Sequence, residues 1–421
     1  MTNKICPLPW NHLSVQQNGD FRLCCQCVHP PFGKPGMRIQ EHSVNDVRNS
    51  KLHQRVRQQM LNGEEPIECK LCWDEEAAGL TSKRIHMLKH YPVEKIAASN
   101  SGVIDINEFP LEYVDLRFGN LCNMKCRSCG PGDSSLWYED VAAANQGRTT
   151  FEFYSSKQYQ LTKINNVWTL KDDDFLWYED EKFWDTIKTV VPHINRLYMT
   201  GGEPFISKAQ WRLLNLCIDL GVSNNIVLEY NTNMTRLPDD AFDLWSNFKE
   251  IQIGCSIDAI GDLAYYMRYP GKWETIQENI LKLGNANCKN IIAKFAPTIS
   301  VFNVLGFLDL VDWLHDNYTP NIRPNPSFHI LEGPGYQNIQ TLPLETKKWI
   351  ASEYNKWYAS AKWHGRYQHQ FDNIIKYMMA QDRSHLLPDL KYNVQILDQQ
   401  RSQNILDYVP WLAKVLNQVD S

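Results

Sequence analysis

Between Glu112 and about residue 335, short apolar runs alternate with amphipathic stretches whose spacing is helical. The apolar runs predict strands at Tyr113–Phe118, Arg196–Thr200, Ile226–Tyr230, Glu250–Ile257, Ile292–Ser300 and Ser327–Glu332. Helices are predicted between them, at Lys208–Leu220, Asp239–Asn247, Trp273–Leu283 and Phe307–Asn317. Strand–helix alternation builds parallel βα units, so the fold class expected is α/β. Six such units make a partial (βα)6 barrel and not the closed form with eight.

The flanks read differently. Residues 1–105 are rich in Cys, Pro, Gly and His, and most of their organisation must come from something other than a large apolar core. Within them Val44 to Leu61 reads as a polar helix with a narrow apolar stripe. The barrel region is expected at 106–340, with an insertion at about 133–190 between its first two strands. There TTFEFYSSKQYQLTKINNVWTL alternates around Asn165-Asn166 as a hairpin does. Its aromatic neighbourhood (Phe151, Phe153, Tyr154, Tyr159, Trp168, Trp177, Tyr178) is expected to pack the insertion onto the barrel; gripping a peptide is the other reading. Residues 341–421 turn helical, as in LETKKWIASEYNKWYASA and FDNIIKYMMA.

Composition narrows the class. Hydrophobic residues make up 43% of 421, which suits a globular protein, and a net charge of −5 gives no global pull toward nucleic acid or an anionic membrane. The N-terminus lacks the apolar core of a signal peptide, and no run approaches the roughly 18 apolar residues of a membrane span. The expectation is a cytoplasmic protein, in which cysteines serve more often as metal ligands than as disulfides. Of the 12 cysteines, nine lie between Cys6 and Cys129, while Cys217, Cys255 and Cys288 stand alone and read as small core residues.

The first chemistry-bearing motif is Cys122-Asn-Met-Lys-Cys126-Arg-Ser-Cys129, directly after the first predicted strand. Three thiolates at this spacing can hold three irons of a cubane cluster and leave the fourth open to a small ligand. The second is Gly201-Gly202-Glu203-Pro204, at the C-terminal end of the next strand. Its glycines expose backbone polar groups, and Glu203 adds a carboxylate suited to an ammonium. Ligand sites of βα barrels lie at this end of the strands.

With these two motifs, residues 110–335 resemble the radical S-adenosylmethionine superfamily. The resemblance implies a 4Fe–4S cluster on Cys122, Cys126 and Cys129, whose open iron chelates the methionine moiety of S-adenosylmethionine. Electron transfer then yields a 5′-deoxyadenosyl radical that abstracts hydrogen from a substrate. It also implies that Gly201, Gly202, Glu203 and Pro204 bind the methionine amino group. Weaker matches extend the S-adenosylmethionine site to Asn233, Ser256, Asp258 and Asn303, at later strand ends, and to Arg268, whose guanidinium would pair with the methionine carboxylate. One departure is Ser128, where the family has a bulky residue to pack on adenine; that packing must come from elsewhere.

A second cysteine set is Cys6, Cys24, Cys69 and Cys72, matching either a 4Fe–4S cluster or structural zinc. The surrounding CPLPW, GDFRLCC and CKLCWDEE resemble the auxiliary-cluster modules, SPASM and the shorter twitch form, of the same superfamily. Such modules usually follow the barrel, whereas here the elements precede it. Near the C-terminus LDQQRSQNILDYVPWL resembles segments of twitch-bearing members. Cys25 and Cys27 are spare, and either could replace a ligand. The implied protein is an enzyme with two 4Fe–4S clusters, S-adenosylmethionine and an external electron donor such as flavodoxin or ferredoxin. Its substrate is unknown, a peptide or a small molecule, and the net reaction is expected to be an oxidation or a cross-link. The alternative is a zinc-binding interaction protein without catalysis.

Overall fold

A computed structural model describes residues 4–27, 36–77, 81–99, 101–105, 107–144, 150–151, 159–170, 174–323, 326–360 and 366–419. Phe153 and Tyr154 of the aromatic set lie outside the described residues. The strands are β1 (His12–Val15), β2 (Phe21–Arg22), β3 (Tyr113–Leu116), β4 (Thr150–Phe151), β5 (Tyr159–Ile164), β6 (Val167–Leu170) and β7 (Arg196–Met199), then β8 (Val227–Thr232), β9 (Glu250–Cys255), β10 (Ile291–Phe295), β11 (Thr298–Ile299), β12 (Ile322–Arg323) and β13 (His329–Ile330).

The main sheet has the order β12-β10-β9-β8-β7-β3-β1-β2. Every pairing in it is parallel except β1 with β2. It is an open sheet with helices in the crossovers, the partial-barrel arrangement that the alternation predicts. The Cys-rich region is not merely docked on it: β1 extends the barrel edge, pairing Ser14 with Asp115 and Val15 with Leu116.

Two-residue alternation gives the sheet two chemically distinct faces. Leu116, Leu197, Leu228, Ile251 and Ala293 are each fully buried on the helix-covered side. The other face is polar in register: Ser14, Asp115, Tyr198, Glu229 and Gln252 form one row across five strands. The Cys-rich region lies against this polar face. Ser14 Oγ donates to Asp115 at 2.9 Å, and Lys83 Nζ donates to the Tyr113 hydroxyl at 3.2 Å.

Four details depart from expectation. The 44–61 helix divides into Val44–Arg48 and Lys51–Leu61, because Ser50 has extended backbone and caps the second piece. The fifth strand breaks at Pro297 into β10 and β11. The predicted sixth strand, Ser327–Glu332, contains β13, which pairs with β11, while an unpredicted β12 ahead of Pro326 takes the place beside β10 in the main sheet. Proline cannot donate to a strand ladder, so these breaks fall where the sequence placed them. Cys288 is half-buried, whereas Cys217 and Cys255 are core residues as expected.

The insertion is a hairpin, β5 against β6, with Asn165 and Asn166 at φ 48° and 67°. Positive φ at both turn residues is the geometry of a two-residue hairpin loop. Trp177 stacks on Phe118 at the end of β3, and Trp168 packs with Trp137, Leu161 and Leu397. These aromatics secure the insertion to the barrel. No described helix is long and apolar enough to cross a membrane.

Candidate active site

The chain leaving β3 and the chain leaving β7 are sewn together. Gly202 N–H donates to the Gly119 carbonyl at 3.3 Å, and Glu203 N–H donates to the Leu121 carbonyl at 2.8 Å. Gly201 has φ +119°, a conformation that costs glycine little. The glycine turn therefore lies directly against the loop that carries Cys122.

From the turn, Glu203 reaches back to β8. Its carboxylate accepts from Phe205 N–H at 3.0 Å, from the Thr232 hydroxyl at 2.7 Å and from Asn233 N–H at 2.7 Å. Burial pushes its pKa up to about 7 against these hydrogen bonds. A carboxylate has about four acceptor positions, and three are used. The fourth, in a buried site, suits an amine. Asn233 then links this group to the cysteine loop. Its Nδ2 donates to Asn123 Oδ1 at 3.0 Å and lies 4.0 Å from Cys122 Sγ, while its Oδ1 accepts from the Thr235 hydroxyl at 2.6 Å.

Beyond β9, Arg268 does for Cys126 what Asn233 does for Cys122. Its Nη1 lies 3.8 Å from Cys126 Sγ, and its Nε donates to Asp258 at 2.7 Å. The loop is aligned with this segment by Lys125 N–H to the Tyr269 carbonyl and Arg127 N–H to the Met267 carbonyl, at 2.7 and 2.8 Å. Asp258 also accepts from Thr298 N–H at 2.8 Å. Asn303 is fully buried and donates to the carbonyls of Asp258 and Thr298, so it fixes Asp258 from behind. Ser256 meets β8 only through its backbone, N–H to the Thr232 carbonyl at 2.8 Å.

The three thiols differ in their electrostatics. Burial raises Cys122 to about 12, whereas a hydrogen bond from the Cys129 thiol lowers Cys126 to about 7. Buried thiolates are costly unless a cation compensates them, and a metal ion is one cation that can. Donors from Asn233 and Arg268 toward two of the sulfurs favour the ionised form further. Among the described residues no three such side chains are drawn into metal-bonding contact; Cys126 and Cys129 hydrogen-bond to each other instead.

The N-terminal thiols form a second group. Cys6, Cys27, Cys69 and Cys72 act on one another electrostatically, and Cys24 hydrogen-bonds with Cys27. Cys27, a spare in the spacing alone, thus stands with Cys6, Cys24, Cys69 and Cys72. That hydrogen bond lowers Cys27 to about 6. Cys25 interacts with Cys24 and Cys27 as well, but its pKa, raised by burial to about 11, responds more strongly to Lys83, Asp115 and Arg117 near the polar face of the sheet. Asn123, Thr232, Thr235 and Arg127 were not anticipated; only their neighbourhood to predicted site residues could have suggested them.

Residues 116–314 match the Radical SAM superfamily, and residues 6–73 match the SPASM iron-sulfur cluster-binding domain. Residues 116–314 are a radical SAM domain. The SPASM region precedes the barrel, in the order expected from the cysteines, and the cofactors of this pair of domains are 4Fe–4S clusters and S-adenosylmethionine. A cluster-binding domain over Cys6 to Trp73 leaves the zinc-module alternative without support. No curated protein matches this chain. Among solved structures, native anSMEcpe with bound AdoMet is similar at 14% identity and TM-score 0.36, over 57% of this chain and 58% of that one. Streptococcus suis SuiB bound to S-adenosylmethionine gives 12% and 0.35, over 70% of this chain and 58% of that one. SuiB bound to precursor peptide SuiA gives 14% and 0.35, over 70% and 60%. The matched part is thus less than two thirds of each of those chains.

Proposed function

We propose that this chain reductively cleaves S-adenosylmethionine and uses the resulting radical to abstract hydrogen from a substrate. The observation that carries the reading is the seam between the glycine turn and the three-cysteine loop, Glu203 N–H to the Leu121 carbonyl at 2.8 Å. It brings an amine-accepting carboxylate and three candidate iron ligands into one buried site.

In this reading Cys122, Cys126 and Cys129 hold a 4Fe–4S cluster, and Cys6, Cys24, Cys69 and Cys72, with Cys27 beside them, supply the auxiliary ligands. When bound, the first cluster supplies the electron that breaks the sulfonium C–S bond and frees a 5′-deoxyadenosyl radical. Glu203 and the Gly201-Gly202-Pro204 backbone orient the methionine amine, and Arg268, held by Asp258, orients its carboxylate. Asn233 fixes the geometry between the turn and Cys122. Asn303 and Ser256 support these groups from the ends of later strands. Tyr198, Glu229 and Gln252, the partly exposed members of the polar row, offer hydrogen-bonding groups to a substrate.

The substrate is a peptide or protein side chain or a small metabolite, and the net reaction is an oxidation or a cross-link, with the auxiliary site taking the electron left on the substrate. A flavodoxin or ferredoxin provides the reducing electron, in the cytoplasm. Protein purified anaerobically should be brown, absorb near 400 nm and carry roughly eight irons. Incubated with S-adenosylmethionine and a strong reductant, it should release 5′-deoxyadenosine. Colourless, iron-free protein after reconstitution, or none of that product, would refute the reading.

A further inference from the structure

Two cations flank Cys126 in the loop, and each leads to the same distant helix, Leu387–Arg401. Arg127, whose side chain is 1% exposed, pairs with Asp398, donates to Gln403 Oε1 at 2.9 Å and donates to the Tyr266 carbonyl at 2.9 Å. Its guanidinium also lies 3.6 Å from the Tyr266 ring centroid, and Tyr266 in turn stacks on Tyr408 at 4.6 Å. On the other side of the cysteine, Lys125 pairs with Asp140, which accepts from Arg401 Nε at 3.0 Å; Gln400 donates to the Asp140 carbonyl at 2.9 Å. Three residues of one C-terminal helix, Asp398, Gln400 and Arg401, thus grip the loop directly or through Asp140.

We propose that this helix is a clamp on the three-cysteine loop, with Arg127 and Asp398 as positioning residues that fix where Cys126 and Cys129 stand. The inference deepens the proposed function and rests on it for its catalytic consequence, but the clamp itself is a property of the apoprotein. A guanidinium with several fixed donors holds an orientation that a lysine ammonium does not. Burial makes the pair costly to break from one side, since the partner is left as an unpaired charge. Asp398 is also tied down, accepting from Ile405 N–H at 2.8 Å, so the loop is referred to the end of the helix and the turn after it. The segment that resembles twitch-bearing proteins in sequence is therefore wired to the first cysteine motif.

The test uses full-length protein with Asp398→Ala, Asp398→Asn and Arg127→Lys. In iron-free protein, alkylation of Cys126 and Cys129 by N-ethylmaleimide, followed by mass spectrometry, should be about tenfold faster in D398A and R127K than in the wild type. Cys217 and Cys255, both fully buried, should stay protected and report that the barrel is intact. If they react in D398A, the decision passes to D398N, which keeps an acceptor for Ile405 N–H while losing the charge. After reconstitution the variants should bind S-adenosylmethionine roughly 5- to 10-fold more weakly, with the auxiliary iron retained. Equal alkylation rates in wild type, R127K and D398N would overturn the clamp. A wild type that cleaves no S-adenosylmethionine while the alkylation contrast persists would overturn the functional reading and leave the clamp standing.

Discussion

Gly202 lies beneath Leu121 with no room for a side chain: a Cβ there would stand 2.0 Å from the Leu121 carbonyl oxygen. The second glycine of the turn is thus required by the approach of the cysteine loop, because Glu203 N–H must reach the same carbonyl. Gly202→Ala should push the loop away, at a cost of about 1–3 kcal/mol for overpacking. The expected outcome is folded protein that binds S-adenosylmethionine at least tenfold more weakly, about 1.4 kcal/mol. Isothermal titration of reconstituted protein checks it, and wild-type affinity would show that the seam is not needed.

Glu203 makes a sharper test of the amine site. All three groups that its carboxylate accepts from are donors, so a carboxamide turned either way brings an N–H against one of them. Glu203→Gln removes the charge that an amine would meet and leaves the three cysteines untouched. Iron content should equal that of wild type while the affinity for S-adenosylmethionine falls about tenfold or more. Iron analysis and equilibrium binding on the same preparation separate the two effects. Loss of iron with unchanged affinity would contradict the assignment.

Much of this site is legible in the sequence because its parts are short contiguous motifs that end strands. A C-x3-C-x2-C run after one strand and a Gly-Gly-Glu-Pro turn after the next must meet if the strands are neighbours, and β3 and β7 pair directly. What the sequence hid is set by contacts over long separations. Arg127 meets Asp398 across 271 positions, and no local period marks either residue. The same holds for β1: four residues beside a cysteine-rich stretch carry no sign that they will extend a parallel sheet a hundred residues later. The sixth predicted strand shows the same limit: Ser327–Glu332 does contain β13, but its pairing with β11, and the two-residue β12 that takes the place beside β10, leave no period in the sequence.

Adjacent cysteines differ in the groups that surround them. Cys24 to Cys27 is a turn, closed by Cys27 N–H to the Cys24 carbonyl at 3.3 Å, which brings Cys24 and Cys27 together. Cys24 hydrogen-bonds with Cys27, whereas Cys25 responds more strongly to Lys83, Asp115 and Arg117 than to Cys27. Cys27→Ala should therefore reduce the iron retained by the auxiliary site, and Cys25→Ala should retain the full complement of roughly eight irons. Iron counting on anaerobically reconstituted variants decides this. Iron loss in C25A with none in C27A would reverse the ligand assignment.

His53 ties the stability of the N-terminal region to pH. It is 6% exposed, with Nδ1 3.0 Å from the Ser50 hydroxyl, and burial, together with Arg57 and Arg48, lowers its pKa to about 3. His12, also buried, is shifted in the same direction by burial and by Lys83, His53 and Arg48. An unfolded histidine titrates near 6.5, so between about 6.5 and 3 the unfolded chain binds more protons than the folded one. The stabilisation is complete above that window and is lost as the pH falls through it. At pH 5 the loss from His53 alone should be about 2 kcal/mol. Urea unfolding at pH 7.5 and pH 5 should show that drop in the wild type and a smaller one in His53→Gln, with His12 keeping part of the slope. An identical drop in the variant would assign the acid sensitivity to other groups.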